Sequence, residues 1–299
     1  MGSLSISVLF GTVAMLLWGL YDFLAKVLLK DRDSFQVLFF TQLSGTVLLL
    51  GYSIGSLDLQ ALKSYWLVSL ASLGVLYAVG YWSLLRAFEL GDLSIVSPVS
   101  AGSAVLAAVF GVLFLAERLA PPLILGVFLA IVGIMLISTS GGSSNSEAVV
   151  RSSTASGRIP TGVTYALVTC VSWGLLYLSL KVADRELQAL SVVMIMRVFA
   201  LLLLTGTAFL TPLRRKLRGV TRRLALILVV MGVMDVVAVV SANWGFASGY
   251  VAVVSPVVSA YPAVSICLAV VFLRERPTLL QVIGISSVLA SVVVLSIFS

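Results

Sequence analysis

The sequence is divided into ten long apolar runs, roughly residues 6–29, 35–55, 65–88, 94–115, 121–138, 162–182, 191–211, 224–245, 251–272 and 278–298. A helix rises about 1.5 Å per residue, so about 20 apolar residues are needed to cross the hydrocarbon core of a bilayer. Ten such runs predict an all-α integral membrane protein of ten transmembrane helices. Composition agrees, with 60% of the 299 residues apolar and 10% charged, against about 25% charged in a soluble domain. A soluble globular enzyme and a disordered chain are both excluded. No basic residue precedes the first run, and it is too long for the apolar part of a secretory leader, so it is read as the first span.

The chain has no histidine and two cysteines. This excludes serine and cysteine triads, HExxH zinc sites and histidine relays. Cys170 and Cys267 lie inside apolar runs, where a thiol behaves as a small hydrophobe. No disulfide framework, metal site or cofactor is expected. No GxxxxGK[ST] motif occurs, so the chain carries no ATP motor of its own. The net charge is +7, but six of the 19 basic residues lie between Arg214 and Arg223. Beside a membrane such a cluster fixes topology, with contact to anionic lipid as the second reading. It gives no reason to expect a nucleic acid.

Most connections are short. The exception is 139–160, rich in Ser and Gly, which reads as a flexible linker between residues 1–138 and 161–299. The two halves repeat. Trp18-Gly19 and Lys26 recur as Trp173-Gly174 and Lys181, an offset of 155. Further on, Phe88, Gly91, Ser97-Pro98, Glu117-Arg118 and Gly126 recur as Phe246, Gly249, Ser255-Pro256, Glu275-Arg276 and Gly284, an offset of 158. Five spans end on the side opposite to where they begin, so the second copy must be inverted. Inverted repeats about a pseudo-two-fold axis, with a binding site near the midplane, are a common plan of secondary transporters.

An early Trp-Gly, a Ser-Pro opening the fourth span of a repeat, and a Glu-Arg closing it before a Gly-containing fifth span together resemble the EamA-type family of the drug/metabolite transporter superfamily. The resemblance covers both halves. It implies ten helices, two inverted five-helix repeats, a central cavity, and export or exchange of a small metabolite such as an amino acid. One departure is visible: the family often carries Arg in the second span of a repeat, where this chain has Arg197 in the second half and Gln42 in the first.

Charges inside spans are the strongest functional pointers, because each costs about 2.5–3.5 kcal/mol on insertion. Asp22 is one turn from Trp18 and one turn from Lys26 on a single helix face, and Trp173, Tyr177 and Lys181 repeat that spacing. These faces could wall one cavity or form an interfacial belt. Asp235 lies mid-span with no basic residue one turn away, so it needs a partner on another helix, a water or a proton. It is the first candidate for proton coupling or for binding a substrate amine. Arg197 could hold a substrate carboxylate or phosphate bidentately, or it could snorkel or pair with Asp235 as a structural bridge. Trp82 and Asn243 are candidate lining residues, with packing as the alternative. Pro98 and Pro256 are read as helix-start or kink residues, each preceded by a Ser able to cap. Glu117, Arg118, Glu275 and Arg276 are read as gates, or simply as charge pairs at helix ends.

Odd-numbered connections hold twelve Lys or Arg and even-numbered ones three. The positive-inside rule then places both termini outside, whereas the family resemblance implies both inside. The expected location is the plasma (inner) membrane, multi-pass. The expected partners are a small-molecule substrate, the bilayer and protons, and the small residues along several spans allow a homodimer. The function expected is secondary transport by alternating access. An integral-membrane enzyme acting on lipid-linked substrates and a passive channel are the alternatives. The scattered acids and absent histidine weigh against the first, and the inverted repeat weighs against both.

Overall fold

The computed structural model describes residues 3–53, 63–91, 93–139, 161–273 and 279–298, together with 55, 58 and 61. Twelve α-helices and no strand occur among them. They are α1 (Ser3–Leu28), α2 (Ser34–Ser53), α3 (Ser64–Leu90), α4 (Leu93–Ala101), α5 (Ser103–Phe114), α6 (Pro121–Thr139), α7 (Thr161–Ala183), α8 (Ala189–Leu210), α9 (Arg222–Ser248), α10 (Val251–Val258), α11 (Tyr261–Leu273) and α12 (Leu279–Phe298). Seven helical segments are long and apolar enough to cross a membrane, the seventh running through α10 and α11. Three shorter apolar segments lie in α4–α5, α6 and α12. Most of the linker, 140–160, and Glu275 and Arg276 lie outside the described residues.

The expected fourth and ninth spans are each interrupted. Gly102 separates α4 from α5, and Ser259 and Ala260 separate α10 from α11. Pro256 sits in the second turn of α10 and not at its start, and Pro98 lies at the equivalent place in α4. The proline suited to a first turn is Pro262, which sets φ as α11 begins. Ser255 does not cap either; its hydroxyl donates across the halves to the Ala104 carbonyl at 3.3 Å.

Lipid tails are as apolar as leucine, so helices in a bilayer associate through close packing and hydrogen bonds. Glycines supply the closeness. A Cβ on Gly133 of α6 would lie 2.8 Å from the Gly284 carbonyl oxygen of α12, and one on Gly45 of α2 would lie 2.6 Å from that of Gly232 in α9. The resulting contacts come in matching pairs. α1 packs on α9 as α3 packs on α7, α2 on α9 as α3 on α8, and α1 on α11 as α5 on α7. The lysines repeat too. Lys26 Nζ donates to the Phe88 carbonyl at 3.1 Å and the Gly91 carbonyl at 3.5 Å, ending α3. Lys181 Nζ donates to those of Ala247 and Gly249 at 3.1 and 2.8 Å, ending α9. A cation satisfies the orphan carbonyls and suits the negative end of the helix dipole.

Candidate functional site

α1 and α7 meet at the stacked indoles of Trp18 and Trp173, whose ring centroids are 6.0 Å apart at 15°. Tyr81 of α3 sets its edge on Trp173 at 5.3 Å, and Tyr77 lies one turn away at 4.9 Å from Tyr81. With Tyr177, Met196 and Phe246 these rings line a chamber between the two sets of helices. It has room for little more than a single water.

Behind Trp18, Tyr77 and Tyr81 of that lining lies a charged pair. Arg197 of α8 and Asp235 of α9 pair through Nη1 and Oδ2 at 2.6 Å, both buried. The carboxylate is saturated with donors. Tyr77 OH donates to Oδ2 at 2.7 Å, Trp18 Nε1 to Oδ1 at 3.2 Å, and Tyr81 OH also to Oδ1. Arg197 Nη1 also donates to the Tyr77 hydroxyl at 2.6 Å, and its guanidinium carbon lies 5.5 Å from the centre of the Tyr77 ring. Gln42 completes the cage by donating to the Arg197 main-chain carbonyl at 3.4 Å. Arg197 Nε and Nη2, although buried, have no hydrogen-bond partner among the described residues. Half of the guanidinium fork is therefore uncommitted, in surroundings where an unmet donor costs about 1–3 kcal/mol.

Asp22 is equally buried but has different surroundings. Its Oδ2 accepts no hydrogen bond among the described residues. It lies within electrostatic range of Asp235, Tyr177 and Tyr261, and both of those tyrosine hydroxyls also have no hydrogen-bond partner among the described residues.

The other sequence candidates separate. Trp82 is 39% exposed on the outer side of α3, away from the chamber. Asn243 Nδ2 donates to Asp184 Oδ1 at 3.1 Å and to the Ala189 carbonyl at 2.9 Å, tying down the turn between α7 and α8. Burial pushes the Asp184 carboxyl up to about 7, only partly offset by Asn243 and by the charge of Lys181. Tyr77 and Tyr81 are the partners that reading for charge alone does not supply. The repeat offers a signal for Tyr77 that charge does not, because residue 235 less the offset of 158 is 77.

Glu117 sits in a latch between the two halves. Its Oε1 accepts from the Val251 backbone N–H at 2.7 Å and Oε2 from that of Ala252 at 2.9 Å, so a first-half carboxylate caps α10. Two details aim it. Ala116 takes φ +53°, and the chain turns sharply as it leaves α5. Gly111 leaves the space, since a Cβ there would lie 2.6 Å from Glu117 Oε2 and 3.1 Å from the Ala252 nitrogen. Arg118 beside it is exposed.

The sequence matches the EamA-like transporter family over residues 5–139 and again over residues 160–297. An uncharacterized protein of Methanocaldococcus jannaschii is 29% identical over 138 residues, which is 45% of this chain and 97% of that one. A solved structure, described only as the crystal structure of a protein, superposes with a TM-score of 0.74 at 18% identity, covering 98% of this chain and 96% of that one. At that identity the likeness is one of fold.

Proposed function

The chain belongs to the EamA-like transporter family, and from that membership we propose that it exports or exchanges a small polar organic metabolite by alternating access. It is an integral multi-pass membrane protein. In this reading the seven long and three shorter apolar segments are ten spans, arranged as two inverted five-helix repeats on either side of the linker. Three observations support it: the paired helix contacts, the twofold match to one family, and a relative covered almost whole by less than half of this chain.

The observation that carries the substrate class is the buried Arg197–Asp235 pair, held by Trp18, Tyr77 and Tyr81 of the aromatic chamber. Separating a buried ion pair costs about 3–5 kcal/mol when one charge is left alone. A zwitterion avoids that cost, because its carboxylate takes the guanidinium while its ammonium takes the carboxylate. A ligand with a single charge leaves one side unpaired. The substrate class is therefore an amino acid or a similar zwitterion, admitted when the closed chamber opens. Asp235 then binds substrate. Asp22, with an oxygen unmet, is the carboxylate placed to carry a coupling proton.

The test is counterflow in proteoliposomes loaded with a labelled zwitterionic amino acid. Amino acids on the other side should accelerate exchange, and their decarboxylated or deaminated analogues should do so at least about ten-fold less well. Equal exchange by the singly charged analogues would remove the zwitterion reading. Asp22→Asn should retain exchange and lose its dependence on a pH gradient.

A further inference from the structure

The strongest unassigned feature lies on the outer surface, at the seam between α2 and α9. An apolar groove of about 360 Å³ runs along it. Phe40 and Val47 form one side, Ala225 and Val229 the other, and buried Leu228 the floor. Ser44 also lines it, but its hydroxyl is turned into the backbone, donating to the Thr41 carbonyl at 3.1 Å and the Leu228 carbonyl at 3.3 Å. The groove therefore offers hydrocarbon and almost nothing polar.

The mouth is different. Val220 lines the groove and belongs to the basic connection from Arg214 to Arg223. That connection is fixed against α2 through its backbone. Gln36 Nε2 donates to the Arg218 carbonyl at 2.9 Å and Arg32 Nη1 to the Gly219 carbonyl at 3.3 Å. Lys216 pairs with Asp33 at 2.6 Å. Arg214, Arg215, Arg218, Arg222 and Arg223 are exposed and form no ion pair among the described residues.

The repeat-equivalent seam, between α3 and α8, shows how the groove arises. Gly74 corresponds to Gly232, Phe199 to Ser44 and Leu67 to Ala225. A Cβ on Gly232 would meet the Ser44 hydroxyl, and one on Gly74 would meet Phe199 Cβ at 2.7 Å. The two crossings are built alike, but the larger side chains stand on the first and the smaller on the second. The connection before α3, residues 54–63, carries one basic residue, Lys63, where its counterpart before α9, residues 212–221, carries four, followed by Arg222 and Arg223 at the start of α9. Apolar space and basic mouth occur together at one seam.

We propose that this seam binds one anionic phospholipid, with an acyl chain in the groove and its phosphate on Arg218, Arg222 and Arg223. Basic pockets between transmembrane helices are suited to anionic head groups, and a chain seated in a groove fixes the lipid where charge alone would only concentrate it. The seam joins a first-half helix to a second-half helix, so the lipid would bear on the surfaces that must move against each other during transport.

The experiment is native mass spectrometry of the full chain released from detergent, titrated with phosphatidylglycerol or phosphatidylcholine of the same acyl chains. One phosphatidylglycerol should be retained per chain, at least ten-fold more tightly than phosphatidylcholine. R218Q/R222Q/R223Q alters only exposed side chains and should abolish that preference. A225L, which places the first-half residue in the groove, should displace the lipid while leaving all the basic residues in place. Soluble glycerol phosphate should compete poorly, because it has no chain. Equal retention of the two lipids would overturn the proposal. So would lipid binding unchanged in A225L, or competition by glycerol phosphate as effective as that of the whole lipid; either result would reduce the site to surface charge.

Discussion

The two halves of the molecule are alike in what supports the fold and unlike in the polar groups buried beside the chamber. Trp18 and Trp173 are the same residue and stack on each other, and Lys26 and Lys181 close equivalent helices in the same way. Around that frame the equivalent positions diverge. Gln42 faces Arg197, Tyr77 faces Asp235, and Asp22 stands where the second half has Tyr177. In two of these three pairs the residue bonds directly to its own counterpart. A two-fold frame permits either half to rock against the other, but a two-fold set of charges would offer the same group twice. The substrate proposed above has two different ends, which needs the equivalent positions to differ, and they do.

The largest expected effect breaks the charged pair. R197Q places the first-half residue in the second half and leaves Asp235 buried without its cation. D235N leaves Arg197 without its anion. Each should cost about 3–5 kcal/mol, read as loss of unfolding free energy in detergent. R197Q/D235N strands no charge and should recover most of that stability while transport stays absent. A double variant no more stable than the singles would mean that the asymmetry is a structural necessity, and the division between frame and chamber would fail.

The latch is a second test. E117A leaves the Val251 and Ala252 N–H groups unmet at a buried helix end, which should cost about 1–3 kcal/mol and speed hydrogen exchange at those two amides. E117Q keeps one accepting oxygen and should lose about half as much. The sequence repeat predicts a similar loss for E275A. A loss at Glu117 alone would restrict the latch to one end of the bundle and give the frame an asymmetry of its own.

These comparisons show which features could be read from the sequence. The seven long apolar segments could, because apolar length in a bilayer is a one-dimensional property. The repeat could, because Gly, Pro and charged residues recurred in order at two fixed offsets. Arg197 and Asp235 could be singled out, and their pairing was one of the readings left open. What one dimension hides is which helices touch. Asp235 has no cation on its own helix, and all of its donors come from α1, α3 and α8. The same blindness left Trp82 and Asn243 open between lining a cavity and packing, since both are polar aromatic or amide groups in apolar runs. Only packing reveals that α3 turns Trp82 outward and that Asn243 ties down a turn. The interruptions at Gly102 and Ser259–Ala260 were masked by unbroken hydropathy.

Asn243 also supplies the smallest test, because its bond to Asp184 is a further asymmetry between the halves. The equivalent first-half residues are Leu85 and Leu29, both in the apolar core. A carboxyl raised to about 7 in the folded chain ionises near 4 once unfolded. Between those values the folded chain holds a proton that the unfolded chain has released. Stability from this group is therefore full below about pH 4, falls as pH rises through that window, and is flat above it. The melting temperature should be higher at pH 5 than at pH 8. D184L/N243L, which copies the first half, should remove that part of the slope without touching the chamber. If the slope persists in the variant, the pH dependence belongs to other groups, and the turn between α7 and α8 joins the symmetric frame. If it disappears while exchange remains proton-driven, the coupling proton resides elsewhere, and Asp22 is the carboxylate to substitute next.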